Sequence, residues 1–265
     1  MGYFKSGSDK LFYSYAIPHR KVRKVGILFV HAGGGNRLGP HRMFVELANR
    51  FRCLGYPTFR FDFRGCGDST GDVLQSNITT EISDLAEAVK FFVARADLEN
   101  IVLFGISRGS RICFTATATY NLPVIGMILL SAPVSSGKAA LKSFSAHLKE
   151  YIWKLKEPRY LWKFLSGRSN INQIVKTLVV TLQLSQRYKS IEETQFKSNC
   201  SVLFIYGGGD PTAKEANKYY ADRCIGNKMP YTCHTVENAN HSFFHYKWKQ
   251  EIFTISKQWL ENTLK

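Results

Sequence analysis

The sequence predicts an α/β fold with a mostly parallel central sheet flanked by helices, and three observations predict it. Short apolar runs rich in β-branched residues alternate with stretches of helical period from Val25 onward, the order that builds βαβ units. Gly105-Ile106-Ser107-Arg108-Gly109 stands between one such run and a helical stretch. Residues 135–197 then break the alternation with tryptophans, tyrosines and phenylalanines set among many charges. A chain of 265 residues is an ordinary size for one α/β domain, and folding hides roughly 70–75% of the surface of a chain this long.

The elements follow in order. Leu11-Phe12-Tyr13-Ser14-Tyr15 reads as an edge strand, and Val25-Gly26-Ile27-Leu28-Phe29-Val30 as a buried one. A helix is expected over residues 41–54. Arg50 and Arg52 in its last turn suit the negative end of the helix dipole, and Gly55 stops it. Pro57-Thr58-Phe59-Arg60-Phe61 is a strand. Over residues 77–96, Ile78, Ile82, Leu85, Val89 and Phe92 recur at helical spacing, so one helix face is buried. Ile101-Val102-Leu103-Phe104 is a strand, and a helix covers residues 112–118. Val124 to Leu130, Ser201 to Tyr206 and Tyr231 to Val236 are further strands, and a last helix covers residues 248–264. Residues 1–134 and 198–265 form the core on this reading. Residues 135–197 form a mostly helical cap inserted over the crevice at the strand ends.

The pattern Gly-x-Ser-x-Gly between a strand and a helix is a nucleophile elbow. The glycines let the backbone pass a strained turn, and Ser107 is left exposed at its apex. A serine hydroxyl is a poor nucleophile at neutral pH, so it needs a histidine as base and a carboxylate to orient that histidine. Asp210 follows the strand at Ser201–Tyr206, within Gly207-Gly208-Gly209-Asp210-Pro211. His241 follows the strand at Tyr231–Val236, within Glu237-Asn238-Ala239-Asn240-His241-Ser242-Phe243. In a parallel sheet such loops face one crevice, which would bring Ser107, Asp210 and His241 together. A developing oxyanion needs preorganised N–H donors. The amide of Arg108 is one candidate, and the His31-Ala32-Gly33-Gly34-Gly35 loop offers Gly33 first and Gly34 second.

Each residue has a plainer alternative. Asp210 could only open a turn with Pro211, and His245 competes with His241 for the role of base. His31 is read as shaping the oxyanion loop by hydrogen bonding, and Asp62, Arg64 and Asp68 as a structural turn network. The Arg108 side chain either pairs with an internal carboxylate, the favoured reading, or meets an acidic substrate group.

On these motifs, together with Phe61-Asp62-Phe63-Arg64-Gly65-Cys66-Gly67-Asp68-Ser69, the chain resembles the α/β-hydrolase superfamily from about Gly26 to Phe243. Within it, the chain is most similar to the small serine esterases, lipases and acyl hydrolases. The resemblance implies an α/β-hydrolase fold and cleavage of a carboxylic ester, thioester or amide without a cofactor. Acyl transfer or peptidase chemistry on the same triad, and a non-catalytic binding module on the same scaffold, stay open.

Composition bounds the rest. The six cysteines form no Cys-x-x-Cys pair and no cluster with histidine, so they read as free thiols of a reducing cytoplasm and no metal site is expected. No run of about 18 apolar residues exists to cross a membrane, and the N-terminal residues lack a signal-peptide core. The formal net charge is +16, and residues 135–197 hold a surplus of eight of it, twelve Lys and Arg against four Glu. Such a segment suits a small anionic acyl ester or thioester substrate, an anionic membrane surface or a phosphorylated acyl carrier. A plainly solvated face fits as well. No motif resembles a nucleic-acid-binding element, so nucleic acid is not expected as a partner.

Overall fold

The computed structural model describes residues 1–19, 22–134 and 200–263. The cap expected over residues 135–197 lies outside the described residues. Within them, eight strands form one sheet in the order β1-β2-β4-β3-β5-β6-β7-β8. The strands are β1 (Gly2–Ser6), β2 (Asp9–Ala16), β3 (Val25–Val30), β4 (Thr58–Phe61), β5 (Asn100–Ile106), β6 (Val124–Leu130), β7 (Ser201–Gly207) and β8 (Tyr231–Val236). From β4 to β8 across the sheet every pairing is parallel, whereas β1 on β2 and β2 on β4 are antiparallel.

The helices are α1 (Met43–Cys53), α2 (Ile78–Ala96), α3 (Arg108–Thr119), α4 (Ala213–Gly226) and α5 (Tyr246–Thr263). They cover both faces of the sheet. Phe44, Leu47 and Phe51 of α1 and Ile252, Trp259 and Leu260 of α5 pack against Phe29, Phe104 and Ile205 on one side. Ile82, Leu85 and Phe92 of α2, Ile112 and Phe114 of α3 and Tyr220 of α4 pack against Leu28, Leu103 and Phe204 on the other. Alternate residues of one strand thus serve opposite layers, which explains why the parallel strands read as unbroken apolar runs. Each large apolar side chain so buried contributes about 1.5–3 kcal/mol.

One expectation is corrected. The Leu11–Tyr15 strand is not at the edge. Gly2–Ser6 lies outside it, paired from Gly2↔Tyr13 to Ser6↔Asp9 through a tight turn with Gly7 at φ 58°. This edge strand turns Phe4 and Ser6 inward, and Phe4 stacks on Phe91 at 5.2 Å. The expected helix at residues 41–54 opens as a 3₁₀ turn over Pro40–Arg42 with His41 left-handed at φ 48°, and α1 proper begins at Met43.

The strand order positions the site. The chain runs from β3 to β4 on one side, then crosses to β5 on the other side of β3. The loops leaving β3 and β5 therefore diverge from neighbouring strands, and a crevice opens at their carboxyl ends.

Candidate active site

Ser107 joins β5 to α3 with φ 51° and ψ −124°, a conformation that side-chain-bearing residues adopt only under constraint. The constraint is visible in its flanking glycines. A Cβ on Gly105 would stand 2.7 Å from the Ser110 backbone, and one on Gly109 would run into the Val30 carbonyl oxygen at the end of β3. The turn is further fixed by Ser107 N–H donating to the Leu130 carbonyl at 2.8 Å and by Ser110 N–H donating to the Ser107 carbonyl at 2.9 Å.

Asp210 and His241 arrive on the loops after β7 and β8, neighbouring parallel strands. These two loops run backbone against backbone. Gly209 N–H donates to the Ala239 carbonyl at 2.9 Å and Gly208 N–H to the Val236 carbonyl at 2.8 Å. A Cβ on Gly207 would collide with that same Ala239 carbonyl, which accounts for the glycine run ahead of the acid. The result is an unbroken chain of hydrogen bonds. His241 Nδ1 lies 2.6 Å from Asp210 Oδ2, and His241 Nε2 lies 2.9 Å from Ser107 Oγ. The Asp210 side chain is 3% exposed and that of His241 45%.

Burial pushes the Asp210 carboxyl up, but the hydrogen bond and charge of His241 and the N–H and hydroxyl of Thr212 outweigh it, so the group is held below its ordinary value. The two Thr212 donors reach Asp210 Oδ1 at 3.0 and 2.8 Å. An ionised Asp210 only accepts, so the imidazole proton sits on Nδ1 and Nε2 is free to accept from the Ser107 hydroxyl. His245, the competing histidine, instead accepts from Lys247 N–H at 3.2 Å at the start of α5.

The loop after β3 lies beside the elbow. A Cβ on Gly33 would stand 2.7 Å from Arg108 Cδ, so the loop backbone rests directly on the Arg108 stem. Burial pushes the Cys66 thiol up to about 12. His31 is buried, and desolvation holds it below its ordinary value, hence neutral. Its Nδ1–H donates to the Ala32 carbonyl at 2.7 Å, and its Nε2 accepts from Phe63 N–H at 3.1 Å. This is the loop-shaping role expected of it.

The Arg108 side chain turns inward. Its Nε and Nη2 meet Glu81 Oε2 at 2.7 and 2.5 Å, with both side chains under a tenth exposed. Burial raises the Glu81 carboxyl, and the charge and hydrogen bond of Arg108 pull it back. The turn network also takes its expected structural form. Asp62 accepts from Arg37 N–H at 2.5 Å and Asp68 N–H at 3.1 Å, and Arg64 pairs with Asp84 at 2.6 Å.

Glu81, Asp84, Thr212 and Cys66 were not picked out from the sequence as members of this site. A signal existed for two of them. Glu81 and Asp84 fall on the same helical stripe as Ile78, Ile82 and Leu85, and a carboxylate on an apolar stripe must have a buried partner. Among the described residues no group of three or more His, Cys, Asp or Glu could hold a metal ion, and no helix is long and apolar enough to cross a membrane.

A profile of the alpha/beta hydrolase fold matches residues 26–173. Lysophosphatidylserine lipase ABHD12 of Gallus gallus is 34% identical over 215 residues, 77% of this chain and 48% of that protein. The chain spans a quarter to about half the length of the lipases of that name from mouse and chicken. An esterase of Pyrococcus furiosus superposes with a TM-score of 0.71 at 17% identity, covering 99% of this chain and 90% of that one. Est1E of Butyrivibrio proteoclasticus, solved with ferulic acid, superposes at 0.68 and 14% identity over 100% and 99% of the two chains. With an eight-stranded, mostly parallel sheet wrapped by helices and a profile match over more than half its length, the chain belongs to the alpha/beta hydrolase fold family.

Proposed function

We propose that this protein is a serine hydrolase that cleaves a carboxylic ester, or a thioester by the same chemistry, through an acyl-enzyme intermediate. Ser107 Oγ attacks the carbonyl carbon while its proton passes to His241 Nε2. Asp210 holds the imidazole in the required tautomer and stabilises the imidazolium. The carbonyl oxygen becomes an oxyanion held by the amides of Arg108 and Gly33. Collapse expels the alcohol or thiol, which takes the proton from His241. Water, deprotonated by His241, then attacks the acyl-serine; the bond from Ser107 Oγ to the carbonyl carbon breaks, His241 returns the proton to Ser107 Oγ, and the carboxylic acid leaves.

The observation that supports this reading most is the relay from Ser107 through His241 to Asp210, at 2.9 and 2.6 Å. Both distances fall in the range of working hydrogen bonds. The substrate we propose is a small anionic acyl ester, in keeping with the +16 formal charge and with relatives named as lysophosphatidylserine lipases. The six free thiols agree with a reducing cytoplasm as its place of action, and the segment 135–197 is proposed as the cap that selects the acyl group.

A fluorophosphonate probe with mass-spectrometric mapping tests the assignment. Labelling is expected at Ser107 and absent in Ser107→Ala, whose turnover of a short acyl ester falls by about 10⁴-fold or more while its far-UV spectrum and melting are retained. Undiminished turnover in a folded Ser107→Ala protein would refute the reading.

A further inference from the structure

We infer that the buried Arg108–Glu81 pair is a positioning device: it fixes the Gly33 loop against the Arg108 amide and so holds the oxyanion pocket in register. The inference rests on Ser107 being the nucleophile. The two proposed oxyanion donors sit on loops from different strands, β3 and β5, and something must fix the distance between them. The Arg108 stem lies directly beneath Gly33, with Cδ 2.7 Å from where a Cβ there would stand. Its guanidinium is held at the far end by two bonds to one Glu81 oxygen, at 2.7 and 2.5 Å. Glu81 in turn stands in the first turn of α2, which a capping box between Asn77 and Thr80 closes. The stem is thereby pinned at both ends, and the glycine loop is seated on it.

Stability alone does not explain the pair. Buried ion pairs are commonly matched or surpassed by apolar side chains of similar volume. This one also leaves Arg108 Nη1 buried with no hydrogen-bond partner among the described residues. What the pair supplies that a methionine and a leucine do not is a fixed stem. A planar guanidinium bonded through two of its nitrogens cannot rotate, whereas a thioether adopts many rotamers. The Arg108 amide itself survives any side-chain replacement, so removing the clamp disturbs the alignment of the donors without removing one.

The test uses the full chain carrying Arg108→Met together with Glu81→Leu, with Glu81→Gln as a second, isosteric variant. Thermal midpoint, kcat and KM on a short p-nitrophenyl ester, and the rate of fluorophosphonate labelling are measured for each. The double variant is expected to melt at or near the parent midpoint, with KM within about twofold. Its kcat falls by about 10²-fold, the scale of an ångström-sized misplacement, and labelling slows in parallel. The pH profile does not move, because the His241–Asp210 relay is untouched. Glu81→Gln, which weakens the grip without changing shape, loses about tenfold in kcat at unchanged KM. A folded double variant with parental kcat overturns the inference. If the double variant does not fold, parental kcat in Glu81→Gln overturns it instead. Ser107→Ala in the same assay separates the two claims: turnover retained there removes the nucleophile, whereas turnover lost there and kept in the clamp variants removes only the clamp.

Discussion

Asp210 is a buried carboxylate that stays ionised because its two oxygens are committed to different partners, His241 on one and Thr212 on the other. Its value in the folded protein lies below the ordinary one. The stability it contributes is therefore present above the normal carboxylate range and is lost as pH falls through the depressed value. Thermal melts between pH 3 and 8 are expected to show the parent above Asp210→Asn at neutral pH, with the gap closing below about pH 4. In ester hydrolysis at neutral pH, Asp210→Asn falls by about 10⁴-fold, since an amide no longer enforces the tautomer with its proton on Nδ1. Asp210 and His241 were legible in the sequence because each follows a strand pattern, an apolar run for Asp210 and an alternating one for His241, with glycine or asparagine around it. Thr212 and Cys66 were not, because what singles them out is a contact made across loops or elements.

The glycines of the elbow and the cap of α2 carry the site at the level of elements. Gly105, Gly109 and Gly207 each face a backbone atom of another segment, so close that a methyl group would collide. The α2 helix opens with Thr80 N–H donating to Asn77 Oδ1 at 3.1 Å and Asn77 N–H donating to Thr80 Oγ1 at 2.9 Å. Asn77→Ala is expected to lower stability by about 1 kcal/mol, measured by urea denaturation. Helices α1, α2, α3 and α5 and the parallel strands were readable from their residue patterning, with ends shifted by a few residues, whereas α4, with few apolar positions on its buried face, was not. The Gly2–Ser6 strand was not, because its place depends on pairing with Leu11 and its neighbours, and five residues with two apolar ones carry no periodic signal. For the same reason the Leu11–Tyr15 strand was assigned to the edge. Its alternation shows a half-buried strand but not what lies beyond it.

Across the whole molecule, charge and sheet order act separately. The surplus of positive charge is proposed to bear on which substrates approach, whereas the strand order sets where the candidate site stands. The β3–β5 crossover sets the elbow near the middle of the sheet, while the acid and base stand on the two strands of the far edge, β7 and β8. This order makes the proposed nucleophile an early feature of the polypeptide and its proposed proton acceptor a late one. A chain emerging from the ribosome carries Ser107 for well over a hundred residues of synthesis before His241 exists, and throughout that time its hydroxyl is no better a nucleophile than that of free serine. On the proposed mechanism, reactivity is switched on by the docking of β8, the last in sequence of the eight strands among the described residues. In refolding from urea, the return of fluorophosphonate reactivity is accordingly expected to trail the return of the far-UV signal. The interval between them times the closure of the β7–β8 seam.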